Sequence, residues 1–104
     1  MSERRRVPRC AFGGVAEITT AHPNTYIVVS TANLSRHGCF VTTLAFMPIG
    51  TKVGVRITYD GSVFNASGEV AYVLSENGMG IKFTTTAPND VALLEAWLRQ
   101  QTKF

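Results

Sequence analysis

Along most of the chain, short apolar and β-branched runs stand between turn signals, with clear alternation over Lys52 to Tyr59, and only the last segment changes to a helical spacing. Ala11 to Thr20 carries Phe12, Val15 and Ile18 among small residues, and Gly13-Gly14 interrupts it, so it reads as a strand with a bulge or bend at the glycines. Ala21-His22-Pro23-Asn24 is a turn. Thr25 to Ala32 is rich in β-branched residues and has no helical period, which predicts a strand. The pattern breaks over Asn33 to Gly38 and resumes as a short strand from Gly38 to Thr42. Leu44 to Gly50 is apolar but punctuated by Pro48 and Gly50, which suits a loop over the core and a partner-facing patch.

From Lys52 to Tyr59, Val53, Val55 and Ile57 point one way, as in a half-buried strand. Asp60-Gly61 is a two-residue hairpin signal, and Ser62 to Leu74 returns as a long strand with a bend at Gly68. Asn77-Gly78 predicts a second tight turn, after which Gly80 to Thr84 closes the series. Val91, Leu94 and Leu98 then recur at helical spacing with Trp97 beside them, Pro88 and Asp90 suit the helix start, and Arg99 and Lys103 suit its end. The expected helix covers about residues 88–101. Six short antiparallel strands and one helix predict a mainly all-β fold. In it a six-stranded antiparallel β-barrel removes its own edges, and a C-terminal α-helix buries Leu94, Trp97 and Leu98 against a barrel opening or a partner.

Composition narrows this picture. A chain of 104 residues with 45% hydrophobic residues has enough apolar surface for one core, so residues 10–104 are expected to form a single domain. No apolar run approaches the ~20 residues of a membrane-spanning helix, and no apolar segment follows the basic start as in a secretory signal. The expected residence is cytoplasmic. Cys10 and Cys39 are too few for a disulfide framework, and with His22 and His37 they lack structural-zinc spacing, so no metal is expected.

The net charge of +3 is unevenly placed: Arg4, Arg5, Arg6 and Arg9 lie within the first nine residues, and the rest is close to balanced. A nucleic-acid binder spreads its bases over a face, whereas a local cluster suits a compact anionic ligand. Residues 1–9 read as a flexible basic arm, mobile without ligand. Four guanidinium groups cannot build a core. They can grip phosphate bidentately, pair with the adjacent O6 and N7 acceptors of guanine, and stack on a purine face. Lysine supplies none of the planar geometry. Val7-Pro8 disfavours a helix, and in an extended arm Arg5 and Arg9 lie on one side, roughly 13 Å apart at about 3.3 Å per residue, a ligand-sized separation.

The break at Asn33-Leu34-Ser35-Arg36-His37-Gly38 supplies a counterpart. The Asn33 carboxamide can accept from and donate to a guanine edge, the Ser35 hydroxyl can donate to phosphate, and Gly38 lets the backbone approach without a Cβ. In an arbitrary loop, Asn33 and Ser35 would be turn-formers bonded to their own backbone. Arg36 and His37 stand near the site, facing phosphate or solvent. Tyr26, Tyr59, Tyr72 and Trp97 suit core or rim packing.

Two motifs carry a resemblance. Arg5 and Arg9 have the form RxxxR, and Asn33, Ser35 and Gly38 have the form (D/N)xSxxG, about two dozen residues later. Gly78-Met79-Gly80-Ile81-Lys82-Phe83 resembles a glycine-rich strand entry near a domain's end. In that order, on a six-stranded β pattern, the chain resembles a PilZ domain over essentially its whole length. The resemblance implies a bacterial receptor or adaptor for the second messenger cyclic di-GMP, with Arg5, Arg9, Asn33, Ser35 and Gly38 as ligand residues. In that family the residue before RxxxR bears on whether one ligand or a stacked pair binds. Here it is Arg4, a third donor, and Arg6 is the most dispensable of the four.

A receptor of this kind has no catalytic residues and no cofactor beyond its ligand. It changes the conformation of its arm on binding and signals to a protein effector or through a homodimer. Two other classes compete. One is a PilZ-like interaction scaffold without nucleotide binding, against which the retained arginines count. The other is a small barrel binding single-stranded nucleic acid, against which the lack of exposed aromatics interleaved with bases counts. An enzyme fits least, because Ser35 and His37 are two apart with no orienting acid.

Overall fold

The computed structural model describes residues 10–21 and 24–101. The arm at 1–9, the turn positions His22 and Pro23, and Lys103 lie outside the described residues.

Seven strands and one helix follow in order: β1 (Cys10–Ala11), β2 (Val15–Ala21), β3 (Asn24–Ser35), β4 (Gly38–Thr42), β5 (Lys52–Tyr59), β6 (Ser62–Leu74), β7 (Gly78–Thr85) and α1 (Pro88–Gln101). Six of them, in the order β3-β2-β5-β6-β7-β4, pair antiparallel, and β4 pairs back onto β3, so the sheet closes into a barrel. The short β1 is an addition to the expected six, and it pairs with β3 alone.

The alternation of the sequence decides which face is buried. Val53, Val55 and Ile57 of β5 and Ala16 and Ile18 of β2 turn inward and are almost fully enclosed. They pack with Phe64 and Val70 of β6 and with Met79 and Ile81 of β7. Asp60 and Gly61 both take positive φ, 50° and 80°, the geometry of a tight β5–β6 hairpin turn. Gly68 sits at a register shift between β6 and β7, where the bend was expected.

Two expectations are corrected. The second tight turn is Ser75–Asn77, closed by the Asn77 amide donating to the Leu74 carbonyl at 3.0 Å, with Glu76 at φ 70°. Gly78 is instead the first residue of β7, and it must be glycine because a Cβ there would meet the Val41 carbonyl of β4. The second correction is that β3 does not end at Ala32. It continues through Asn33 to Ser35, across a register shift between Thr31 and Asn33.

The helix closes one mouth of the barrel. The Ala87 carbonyl accepts the first helical bonds, from the Asp90 and Val91 amides at 3.0 and 2.9 Å, and the Asp90 carboxylate accepts from the Asn65 amide of β6 at 3.0 Å. That last bond fixes the helix start against the barrel wall. Trp97, only 3% exposed, then packs on three rings: Phe12 at 5.3 Å, Tyr59 at 5.6 Å edge-on, and Phe64 at 6.2 Å. Leu94 is buried beside it, so the apolar stripe covers the barrel opening of its own chain. Trp97→Ala should therefore cost about 3–5 kcal/mol of stability, measured by urea unfolding. An unchanged midpoint would show that the helix is not part of the cooperative unit.

Candidate ligand-binding site

The site begins with a change of face in β3. In its first half the residues facing the core are Ile27, Val29 and Thr31, all odd-numbered. Continued without interruption, that parity would turn Asn33 and Ser35 inward. The extra residue at Ala32 shifts the register against β4, so Thr31 pairs with Val41 but Asn33 pairs with Phe40. After it, Leu34 is the residue in the core, fully enclosed, while Asn33 is half-buried and Ser35 is covered, neither of them part of the hydrophobic core.

β1 fastens to this same stretch. Cys10 pairs with Leu34 and Ala11 with Asn33, and the Phe12 amide donates to the Ala32 carbonyl at 3.1 Å. Arg9 is one peptide unit, about 3.8 Å between Cα atoms, from Cys10. The described chain thus begins beside Leu34, between Asn33 and Ser35.

Beyond Ser35 the chain reverses in two residues, Arg36 and His37, and Ser35 pairs with Gly38. The Ser35 hydroxyl holds this turn: it accepts from the His37 amide at 3.2 Å and donates to the Gly38 carbonyl at 3.4 Å. This is the turn-forming use of serine, so any ligand contact by Ser35 is additional to a structural one. Asn33 is different. It is half-buried, and its carboxamide makes no hydrogen bond among the described residues.

Gly38 also has a structural reason. A Cβ there would run into the Ile81 carbonyl of β7, with the Lys82 Cα at 3.2 Å. The space that its missing side chain frees is filled by the neighbouring strand. Gly80 repeats this two pairs further on, where a Cβ would enter the Tyr72 ring. Phe40, which is buried, and half-buried Tyr72 flank it, near-parallel with centroids 6.1 Å apart.

A shallow depression of about 190 Å³ lies on this face, lined by Ser35, His37, Gly38, Tyr72, Gly80 and Lys82 among others. Ser35 and Gly38 therefore stand together, and Asn33 lies two residues up β3 from them. Arg4, Arg5 and Arg9 lie outside the described residues. His37 lines it, near the site as its place in the motif suggests, whereas Lys82 and Tyr72 escaped sequence reasoning as lining groups. Only the register that sets Gly38 against Lys82 brings them there, and periodicity does not reveal register.

Charge around the depression is arranged in a row. Lys52, Glu69 and Lys82 are direct neighbours across β5, β6 and β7, with ion-pair distances of 3.3 Å and 3.7 Å to the central carboxylate. The Lys52 hydrogen bond, then the Lys52 and Lys82 charges, hold the Glu69 carboxyl below its ordinary value. Two cations share one anion, so this edge is net positive at neutral pH. Arg36 is committed elsewhere: its guanidinium meets both carboxylate oxygens of Glu95 on α1, each at 3.3 Å. Among the described residues no three His, Cys, Asp or Glu side chains stand close enough to hold a metal.

A closed six-stranded barrel with one helix across its mouth and a motif turn in its wall defines a small β-barrel domain. The sequence pattern of the PilZ domain matches residues 3–100, and the chain belongs to the PilZ domain family. Solved structures share the fold. The PilZ domain of YcgR from Escherichia coli, solved with c-di-GMP, superposes with a TM-score of 0.73 at 14% identity, over 95% of this chain and 92% of that one. The inhibitor of motility MotI/DgrA of Bacillus subtilis gives 0.76 at 20% identity, over 96% of this chain. This chain spans only 52% of MotI/DgrA, about half its length. MrkH of K. pneumonia, solved as a c-di-GMP complex, gives 0.68 at 18% identity, over 99% of this chain and 56% of that one. No curated protein matches the sequence.

Because Gly38 is required by strand packing, Gly38→Ala should lower the stability of the ligand-free protein by about 1–3 kcal/mol. Thermal unfolding without any ligand checks this, and a variant with unaltered stability would return Gly38 to a purely ligand-facing role.

Proposed function

We propose that this protein is a cyclic di-GMP receptor or adaptor, a binding module with no chemistry of its own. The observation that carries this reading is the pairing of Cys10 with Leu34, which ties the chain next to Arg9 between Asn33 and Ser35. Membership of the PilZ family and the ligand in the YcgR and MrkH structures support the choice of dinucleotide.

In this reading Arg5 and Arg9 grip the ligand through bidentate bonds to phosphate or to guanine O6 and N7, and Arg4 bears on ligand number. The free Asn33 carboxamide reads a guanine edge, and Gly38 and the Ser35-held turn set the floor. The positive edge at Lys82 attracts the phosphodiester charge. Binding changes the conformation of the arm at residues 1–9, and the altered surface is read by a protein effector or by a second copy. The Arg36–Glu95 pair links the motif turn to α1 and offers a route by which the turn's state reaches the helix. The expected compartment is the bacterial cytoplasm, where this messenger is made.

Isothermal titration tests the reading. Cyclic di-GMP should bind with measurable heat, and Arg9→Ala should weaken binding by about 2–3 kcal/mol, a factor of roughly 30–150. Ser35→Ala should cost about 1 kcal/mol. Absence of heat at tens of micromolar, or an Arg9→Ala protein of full affinity, refutes it.

A further inference from the structure

The barrel wall opposite in character to the ligand face is formed by the outer side of β3, β2, β5 and β6. Four of the large apolar side chains that the fold leaves exposed gather there: Val15, Tyr26, Val28 and Val63, from 37% to 59% accessible. Their registers make them one surface. Val15 lies between Ser30 and Thr58, and Thr58 pairs with Val63; two pairs along, on the same face, Val28, Glu17, Arg56 and Asn65 form the next row. Tyr26 starts the row after that and donates to the Glu17 carboxylate at 2.9 Å. A trough of about 590 Å³ deepens the face between these strands and the start of α1.

The charge on this wall is unusual. In the three rows there is one acid, Glu17, and beside it one base, Arg56, whose Cα atoms are direct cross-strand partners. Among the described residues Arg56 has no carboxylate within ion-pair distance, although Glu17 is its neighbour. The rest is valine, threonine, serine, glycine, tyrosine, asparagine. A sheet face of this kind is normally solvated by charge, and here the next charged pair along β5 and β6, Lys52 and Glu69, lies beyond these rows.

We propose that this wall is the seat of a second copy of the chain, packed sheet on sheet about a two-fold axis that runs parallel to the strands between β2 and β5. That operation carries each Glu17 to a place opposite Arg56 of the other copy, at the spacing of about 10 Å between stacked sheets that long side chains bridge. It also removes the valines of both copies from water. The three rows are self-complementary because their one acid and one base are adjacent, a property that a partner of a single charge sign would not match; Asp90, at the helix end of the trough, is held by the Asn65 amide. Four strands about 4.8 Å apart and five residues long give a patch of a few hundred Å², at the small end for an interface, so the dimer is weak and concentration-dependent.

Sedimentation equilibrium over a concentration series, with the complete chain and no nucleotide, tests this. The wild type should pass from monomer to dimer, and Val28→Lys should weaken the dimer at least about tenfold while circular dichroism melting stays unchanged. Glu17→Arg alone and Arg56→Glu alone should each be monomeric through like-charge opposition. An equimolar mixture of those two variants should dimerise again, because each then meets its complement. That recovery cannot come from pairing within one chain. A wild type that is monomeric at every concentration assigns the face to some other protein and overturns the proposal. So does a dimer indifferent to Val28→Lys, or a mixture that stays monomeric.

Discussion

The extra residue at Ala32 is the hinge on which this molecule turns. β3 has to serve two pairings: its first half lies on β2, and its second half must reach β4 to close the barrel. A strand of uninterrupted alternation cannot do both with a buried apolar residue at each inward position, because Thr31 is followed two residues later by Asn33. The bulge adds a residue, bends the strand and exchanges the faces. Leu34 enters the core, and Asn33 and Ser35 leave it. On the other edge of β3, where the pairing with β2 stops at Ser30, Cys10 and Ala11 take up Leu34 and Asn33, so barrel closure, the presented motif and the anchored start of the described chain meet on one stretch.

The closing strands are then brought very near each other, and glycine makes that possible. Gly38 and Gly78, at the two ends of β4's pairing with β7, each lie against a carbonyl of the opposite strand, and Gly80 between them lies under the Tyr72 ring. Side chains at these positions would push β4 off β7 and open the barrel. Their flat, uncovered backbone also leaves the shallow depression beside the turn, rimmed by Lys82 and Tyr72. Packing and binding surface therefore share residues here, and substitutions at Gly38 have to be judged by stability as well as by affinity.

Much of the barrel was legible in the sequence because β2, β5 and β6 bury residues of a single parity between turn signals that geometry enforces, Asp60-Gly61 above all. The helix was legible for the same reason, since Leu94 and Trp97 keep the helical period that the barrel mouth requires. What the sequence hid was every departure from alternation. Asn33 looked like the end of a strand because a bulge and a loop break the pattern alike. Gly78 looked like a turn residue because the contact that demands glycine, the Val41 carbonyl, is more than thirty residues away in sequence. The candidate site was legible as types, Asn33, Ser35 and Gly38. Its further lining at Lys82 and Tyr72 depends on register and was not, nor was the turn-holding role of the Ser35 hydroxyl.

The central claim is that the arm and the bulged end of β3 form one dinucleotide site, and amide NMR of the labelled protein addresses it most directly. Addition of cyclic di-GMP should move the signals of Arg9, Cys10, Asn33, Ser35 and Gly38 together, along one saturation curve, while Arg56 and Val63 on the opposite wall stay in place. Shifts confined to the arm, or centred away from the Asn33–Gly38 stretch, would contradict it.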